Sequence, residues 1–174
     1  EEINELVKLV RFYKETGRDV LNKFSLHSIF TGNPGTGKTT VARIVAKIYK
    51  GLGLLERGHI VEVDREGLVA GWVGQTATKT AAKIDEAQGG ILFIDEAYAL
   101  ANGAIGHDFG QEAIQVILKR MEDLRGQFGV IVAGYTDNMH TFIESNPGLK
   151  SRFDRTFNFT DYTAEDMYAI AIAI

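Results

Sequence analysis

The 174-residue chain contains no cysteine. Disulfides, thiol nucleophiles and cysteine-ligated zinc are therefore excluded, and the absence fits a reducing compartment such as the cytosol. It also lacks any apolar run approaching the roughly 20 residues that cross a bilayer. Its acidic start, Glu1-Glu2-Ile3-Asn4-Glu5, lacks the basic-then-apolar order of a signal peptide. Positive charge is not in excess either: 19 Lys and Arg stand against 23 Asp and Glu, a formal net charge of -4. General binding to nucleic acid or to a membrane surface needs a basic face, so neither is an expected partner. The four histidines, His27, His59, His107 and His140, are scattered without metal-ligand spacing and read as surface or packing residues.

What is present is ordinary globular material. Hydrophobic residues make up 45% and charged residues 24% of the chain, and its length suits one domain with a sizeable core. Helical and strand periods alternate along it. Ile3, Leu6, Val7 and Val10, followed by Tyr13 or Lys14, form an amphipathic helical stripe that Gly17 stops. Ser28 to Thr31 is a short apolar strand running into glycines. Val41, Ile44, Val45, Ile48 and Tyr49 predict a helix from near Gly37 to near Gly51. His59 to Val63 reads as a strand, and Ala77, Ala81 and Ile84 mark a helix closed by Gly89-Gly90. Ile91 to Ile94 is continuously apolar, as in a strand buried on both faces. Asp108 to Leu124 is a further helix, Val130 to Ala133 another buried strand, and Arg155 to Phe159 the last strand. Thr163 caps a final helix, with Asp166 three residues on. This alternation predicts an α/β fold with a parallel sheet, helices on both faces and right-handed crossovers.

Five constellations carry chemistry. Gly32-Asn33-Pro34-Gly35-Thr36-Gly37-Lys38-Thr39 matches G-x-x-x-x-G-K-[ST] between a strand and a helix, the context that a phosphate-cradling loop requires. Its glycines let backbone N–H groups turn inward, and the helix N-terminus adds partial positive charge. Lys38 reaches the outer phosphates, and the Thr39 hydroxyl suits Mg²⁺. Asp95-Glu96 ends the buried Ile91–Ile94 strand, at the edge where parallel sheets bind ligands. Asp95 suits the metal, directly or through water, and Glu96 suits a general base that polarises the attacking water. After Val130–Ala133, Gly134-Tyr135-Thr136-Asp137 reads either as a turn with an Asp cap or as a strand end from which Thr136, preferred over Asp137, faces the γ-phosphate. Arg152 and Arg155 follow the turn at Asn146-Pro147-Gly148 and read either as surface ion pairs or as arginines that reach a neighbour's ATP. Gly71-Trp72-Val73-Gly74 sets the only tryptophan between glycines in a loop, either folded back on the core or exposed to grip something.

Taken in order, GNPGTGKTT, GWVG, ILFIDEA, VIVAGYTD and NPGLKSRFD resemble the AAA+ ATPases along essentially the whole chain. The wording is similar to the branch of stage V sporulation protein K, the red-type Rubisco activase CbbX and the type VII secretion ATPase EccA, and is nearest the sporulation protein K-like group. The resemblance implies a three-layer P-loop NTPase fold, the AAA+ large subdomain, with a five-stranded parallel sheet in the order 5-1-4-3-2. Residues 1–162 would form the nucleotide-binding subdomain, and residues 163–174 the start of a helical lid cut short. Gly32 to Thr40, Thr40 included, would be Walker A, and Asp95 and Glu96 Walker B. Thr136 falls where many relatives carry the sensor-1 asparagine. Arg152 matches the arginine finger, and Arg155 a second arginine of some AAA proteins. Trp72 and Val73 match the first pore loop, and Ala101–Gly110 lies near the second.

ATP and Mg²⁺ are the implied cofactors. The implied partners are five further copies in a homo-hexamer and a protein substrate remodelled or threaded at its pore, in the cytoplasm. A nucleotide-dependent assembly switch or scaffold without motor activity is the alternative, and a DNA-handling loader is disfavoured by the acidic balance. The family's adenine-holding segment before the first helix and its sensor-2 arginine are not found in residues 1–174, so slow turnover is expected of this stretch alone.

Overall fold

A computed structural model describes residues 25–72, 74–101 and 109–159, with isolated positions 4, 5, 8 and 11. Asn4, Glu5, Lys8 and Arg11 are helical, as the expected N-terminal helix requires. The rest of that helix, most of the Ala101–Gly110 loop, Val73 and the helix after Thr163 lie outside the described residues, as does the proposed division at residue 162.

The apolar segments read from the sequence form one parallel sheet. β1 (Ser28–Gly32), β2 (Ile60–Val63), β3 (Ile91–Ile94), β4 (Gly129–Gly134) and β5 (Thr156–Phe159) lie in the order β2-β3-β4-β1-β5. This is the expected order read from the opposite edge, and all four pairings are parallel. Every residue of β1, β3 and β4 is buried, because helices cover both faces of these central strands. β5 alternates exposed Thr156 and Asn158 with buried Phe157 and Phe159, as an edge strand with one covered face does.

α1 (Lys38–Gly51) buries Val41, Ala42, Val45, Ala46 and Tyr49, a stripe at helical spacing. The stripe packs on one sheet face around Phe30, whose ring centroid lies 4.9 Å from that of Phe159, 5.5 Å from Phe157 and 6.5 Å from Phe93. Truncating so well packed a ring costs about 3–5 kcal/mol, a large share of a domain's stability. The other face carries α2 (Arg65–Leu68), α3 (Gln75–Glu86), α4 (Phe109–Asp123), α5 (Thr136–Glu144) and α6 (Pro147–Arg152).

The helices α2, α5 and α6 and the 3-10 turn Ala97–Leu100 are additions to the sequence-based expectation. α2 and α6 are too short to show a period, yet each has a cap: Asp64 accepts from Gly67 N–H, and Asn146 accepts from Gly148 N–H with Pro147 in the first turn. α5 does carry a stripe of Met139, Phe142 and Ile143, hidden among polar neighbours.

Parallel strands put every strand's carboxyl end at one edge of the sheet. The residues that follow β1, β3 and β4 therefore meet there, while those that precede β5 lie at the opposite edge.

Candidate nucleotide-phosphate site

The loop after β1 is built to face an anion. Thr36 Oγ1 donates to the Asn33 carbonyl at 2.7 Å and closes the turn. Gly37 then caps α1 with φ 85 and ψ 20, a left-handed conformation that an L side chain resists. Among the described residues no side chain caps this helix, and its first turn holds no acidic residue. The first amides of a 14-residue helix, with their partial positive charge, are thus left for an external acceptor. Lys38 folds over the loop, and its Nζ donates to the carbonyls of Gly32 and Asn33, each at 2.9 Å. Partial burial pushes this ammonium below the ordinary lysine range, and the Asp95 carboxylate pulls it back up.

Gly32, Pro34, Gly35, Gly37, Lys38, Thr39 and Thr40 line one cleft of about 270 Å³, together with Asp95, Glu96, Gly134 and Tyr135. Asn33 and Thr36 shape the loop from behind. The cleft size suits a phosphate chain, and polar groups converge in it from three strand ends.

At the tip of β3, Asp95 N–H donates to the Val63 carbonyl at 2.9 Å, and Asp95 Oδ1 accepts from Glu96 N–H at 3.0 Å. Glu96 has φ 49 and is the only non-glycine with positive φ among the described residues. A left-handed residue with a Cβ costs roughly 1–2 kcal/mol, and such strain gathers at functional sites. Here it turns the exposed Glu96 out of the strand line while its carbonyl accepts from Ala99 N–H at 3.0 Å. Tyr98 belongs to the same corner. Its phenol is pushed above the ordinary range by desolvation and by Glu96, Tyr135 and Asp95, while a hydrogen bond with Asn138 acts the other way.

For Mg²⁺, Thr39 and Asp95 both line this cleft. Among the described residues no group of three or more His, Asp or Glu forms a protein-only metal cage. A hydroxyl and one carboxylate fit an ion that keeps several waters and takes its remaining oxygens from phosphates.

Thr136 is not brought into this cleft. β4 ends at Gly134, paired with Thr31, and Thr136 is already the first residue of α5. It lines a separate cleft with Ile29, Thr31, His140 and Asn158. The residues that line the phosphate cleft at the end of β4 are Gly134 and Tyr135, the latter 41% exposed. The sequence carries no signal that singles out Tyr135; the strand register does, since Gly134 pairs with Thr31 and the next residue therefore flanks the loop that follows Gly32. Asp137 is exposed in the first turn of α5.

Arg152 and Trp72 stand apart. Arg152 ends α6 at the amino edge of the sheet, where its carbonyl accepts from Ser25 Oγ at 3.5 Å, and its guanidinium pairs with Glu122 at 3.5 Å. The length of β1, about 16 Å, separates that edge from Lys38. Trp72 is 73% exposed, so it projects from its loop and does not fold back on the core.

A parallel sheet in this order, with a glycine-rich loop feeding an uncapped helix beside an Asp-Glu strand tip, defines a P-loop NTPase fold. Residues 28–161 match the family model described as "ATPase family associated with various cellular activities (AAA)". The chain belongs to this family.

It is 48% identical over 151 residues to stage V sporulation protein K of Bacillus subtilis, covering 87% of this chain and 47% of that protein. It is likewise 48% identical over 147 residues to protein CbbX of Cereibacter sphaeroides, covering 84% and 48%. With the ESX-3 secretion system protein EccA3 of Mycobacterium tuberculosis (strain H37Rv) it shares 48% identity over 165 residues, 95% of this chain and 26% of that protein. The relatives are those that the sequence pattern resembles, and the chain spans about half the length, or less, of each. The crystal structure of the FIGL-1 AAA domain in complex with ADP superposes with a TM-score of 0.56 at 18% identity, over 84% of this chain and 47% of that one. At that identity it speaks for the fold alone. Among the described residues no helix is long and apolar enough to cross a membrane.

Proposed function

We propose that the chain binds Mg²⁺-ATP in the cleft between Lys38 and Glu96 and hydrolyses it. The observation that carries this is the convergence of Lys38, Thr39, Asp95 and Glu96 on one cleft at the carboxyl edge of the sheet. The amides of Gly35 to Thr39 and the Lys38 ammonium would hold the β- and γ-phosphates. Thr39 and Asp95 would hold Mg²⁺, which when bound neutralises charge on the phosphate oxygens. Glu96, exposed and turned outward, would take a proton from the attacking water. Tyr135 supplies a polar group from β4.

Ring assembly, a homo-hexamer by family likeness, is part of the same reading. Its support is that Arg152 lies at the sheet edge away from its own cleft, where it would be free to serve a neighbour's. The exposed Trp72, with Val73, would then face a protein substrate at a central pore, in the cytoplasm. The substrate's identity is left to the parts of the relatives that this chain does not span.

The test is a pair of variants of the purified chain. Glu96→Gln is expected to keep ATP affinity while phosphate release falls by about 10²–10⁴-fold. Lys38→Ala is expected to weaken ATP binding roughly 10- to 100-fold, as loss of a charge-assisted contact does. Unchanged turnover in Glu96→Gln would remove the base assignment.

A further inference from the structure

Apart from the family's motifs, one chain of polar contacts joins the Asp95-Glu96 corner to the Trp72 loop. The Glu96 carbonyl accepts from Ala99 N–H at 3.0 Å, and the Ala99 carbonyl accepts from Arg65 Nη1 at 2.7 Å. Arg65 opens α2, and its own carbonyl accepts from Val69 N–H at 2.8 Å where that helix stops. Beyond Val69 the chain is clamped to α3. Ala70 N–H donates to Thr76 Oγ1 at 3.0 Å, and Thr80 Oγ1 donates to the Leu68 carbonyl at 2.9 Å. Lys79 Nζ adds bonds to the carbonyls of Glu66 and Val69. Trp72 follows two residues after Ala70, and its carbonyl accepts from Gln75 N–H at 3.3 Å.

The contact at Arg65 is fitted closely. A Cβ added at Gly110 would lie 2.6 Å from Arg65 Nη1 and would collide with the Leu100 carbonyl. α4 can therefore press on this junction only because residue 110 has no side chain. A second tether runs beside it: Asp95 N–H donates to the Val63 carbonyl, immediately before the Asp64 cap of α2. At the cleft end, the chain of contacts starts from Glu96, whose backbone is left-handed with φ 49. A backbone held there has a lower-energy right-handed well close by. A change of peptide orientation at Glu96 would move the acceptor of Ala99 N–H and, through Ala99, the carbonyl that Arg65 holds.

We propose that Arg65 is a positioning residue that transmits the state of the cleft to the Trp72 loop. The proposal rests on the reading of that cleft as an ATP site. Arg65 touches neither nucleotide nor Trp72; it ties the 3-10 turn behind Glu96 to the helix that carries the loop. A merely structural Arg65 would change thermal stability and leave the response of the loop to nucleotide intact.

Trp72 is the only tryptophan of the chain and is largely exposed, so emission excited at the red edge of tryptophan absorption reports on this loop alone. The purified chain is titrated with a non-hydrolysable ATP analogue and Mg²⁺, with binding measured independently by calorimetry. The wild type is expected to bind and to change its emission. Arg65→Met, which keeps the apolar stem, is expected to bind with unchanged affinity and to lose most of the emission change, and Arg65→Lys to recover part of it. An undiminished emission change in Arg65→Met overturns the proposal. So does a wild type that binds the analogue without any emission change, while the ATP-site reading stands. Absence of calorimetric binding by the wild type overturns both. If Arg65→Met does not fold, the exposed Lys79→Met tests the far end of the same clamp. Loss of most of its emission change supports the proposal, and retention of the full change overturns it.

Discussion

Tyr135 and Thr136 differ by one residue and by the face they serve. The tyrosine lines the phosphate cleft, while the threonine begins α5 and lines a different cleft. Charge and hydrogen bonding at the cleft should follow that division. Tyr135→Ala is expected to lower turnover about tenfold, the effect of one lost hydrogen bond of about 1.4 kcal/mol near the phosphates. Thr136→Val should have the smaller effect. Steady-state phosphate release from both variants checks this, and the opposite order would return the role to Thr136. Sequence periodicity does not separate the two, because Val130 to Ala133 is apolar at every position and leaves no alternation to mark the last strand residue. The pairing of Thr31 with Gly134 does separate them, and pairing is a property of the folded sheet. That Lys38, Asp95 and Glu96 share one cleft was legible for the opposite reason. Their motifs are local, and each is anchored to the end of a strongly apolar strand.

At the scale of elements, the amino edge of the sheet is held by a histidine with no apparent role in the sequence. His27 Nδ1 accepts from Val130 N–H at 2.9 Å, which ties the start of β1 to β4. Its ring lies 6.2 Å from that of Phe128 and 6.1 Å from that of Phe153, centroid to centroid. Burial, together with the positive charges of Arg152 and Arg125, pushes this imidazole down to about 4 from 6.5. Above the unfolded value His27 is neutral in both states, and stability is unaffected. As pH falls from 6.5 toward 4 the unfolded chain takes up a proton that the folded chain refuses, so stability falls through this window and levels off below it. The loss is about 2 kcal/mol near pH 5 and up to roughly 3 kcal/mol below pH 4. Urea unfolding at about pH 7.5 and about pH 5, for the wild type and for His27→Gln, measures it. The stability advantage of the wild type should shrink by about 2 kcal/mol at the lower pH, and a constant difference would show that His27 titrates normally. The long elements were readable because burial on one or both faces imposes a period. α2 and α6 were not, because four and six residues held by a single Asx cap show almost none.

At the scale of the molecule, the cleft and the two arginines after Asn146 lie at opposite edges of the sheet. Its carboxyl edge carries the loop, the Asp-Glu corner and Tyr135, yet the described residues that line the cleft include no arginine. Arg152 sits at the opposite edge, half-buried and paired with Glu122, and its buried Nε meets no acceptor among the described residues. On the proposed ring assembly, a guanidinium so placed would meet a phosphate in another copy, through a head-to-tail contact that repeats around a closed ring. If Arg152 acts in trans and Glu96 is the base, Arg152→Ala and Glu96→Gln should each lack turnover alone for different reasons: the first would have a base without a finger, the second a finger without a base. Mixed at equal amounts, random neighbours place an intact Glu96 beside an intact Arg152 at roughly one interface in four. Phosphate release should recover to about a quarter of the wild-type rate, and it should depend on total protein concentration through assembly. A mixture as inactive as its components, formed under conditions where light scattering shows assembly, would make Arg152 a structural partner of Glu122. Recovery would place the arginine in trans, because no single chain in the mixture carries both groups.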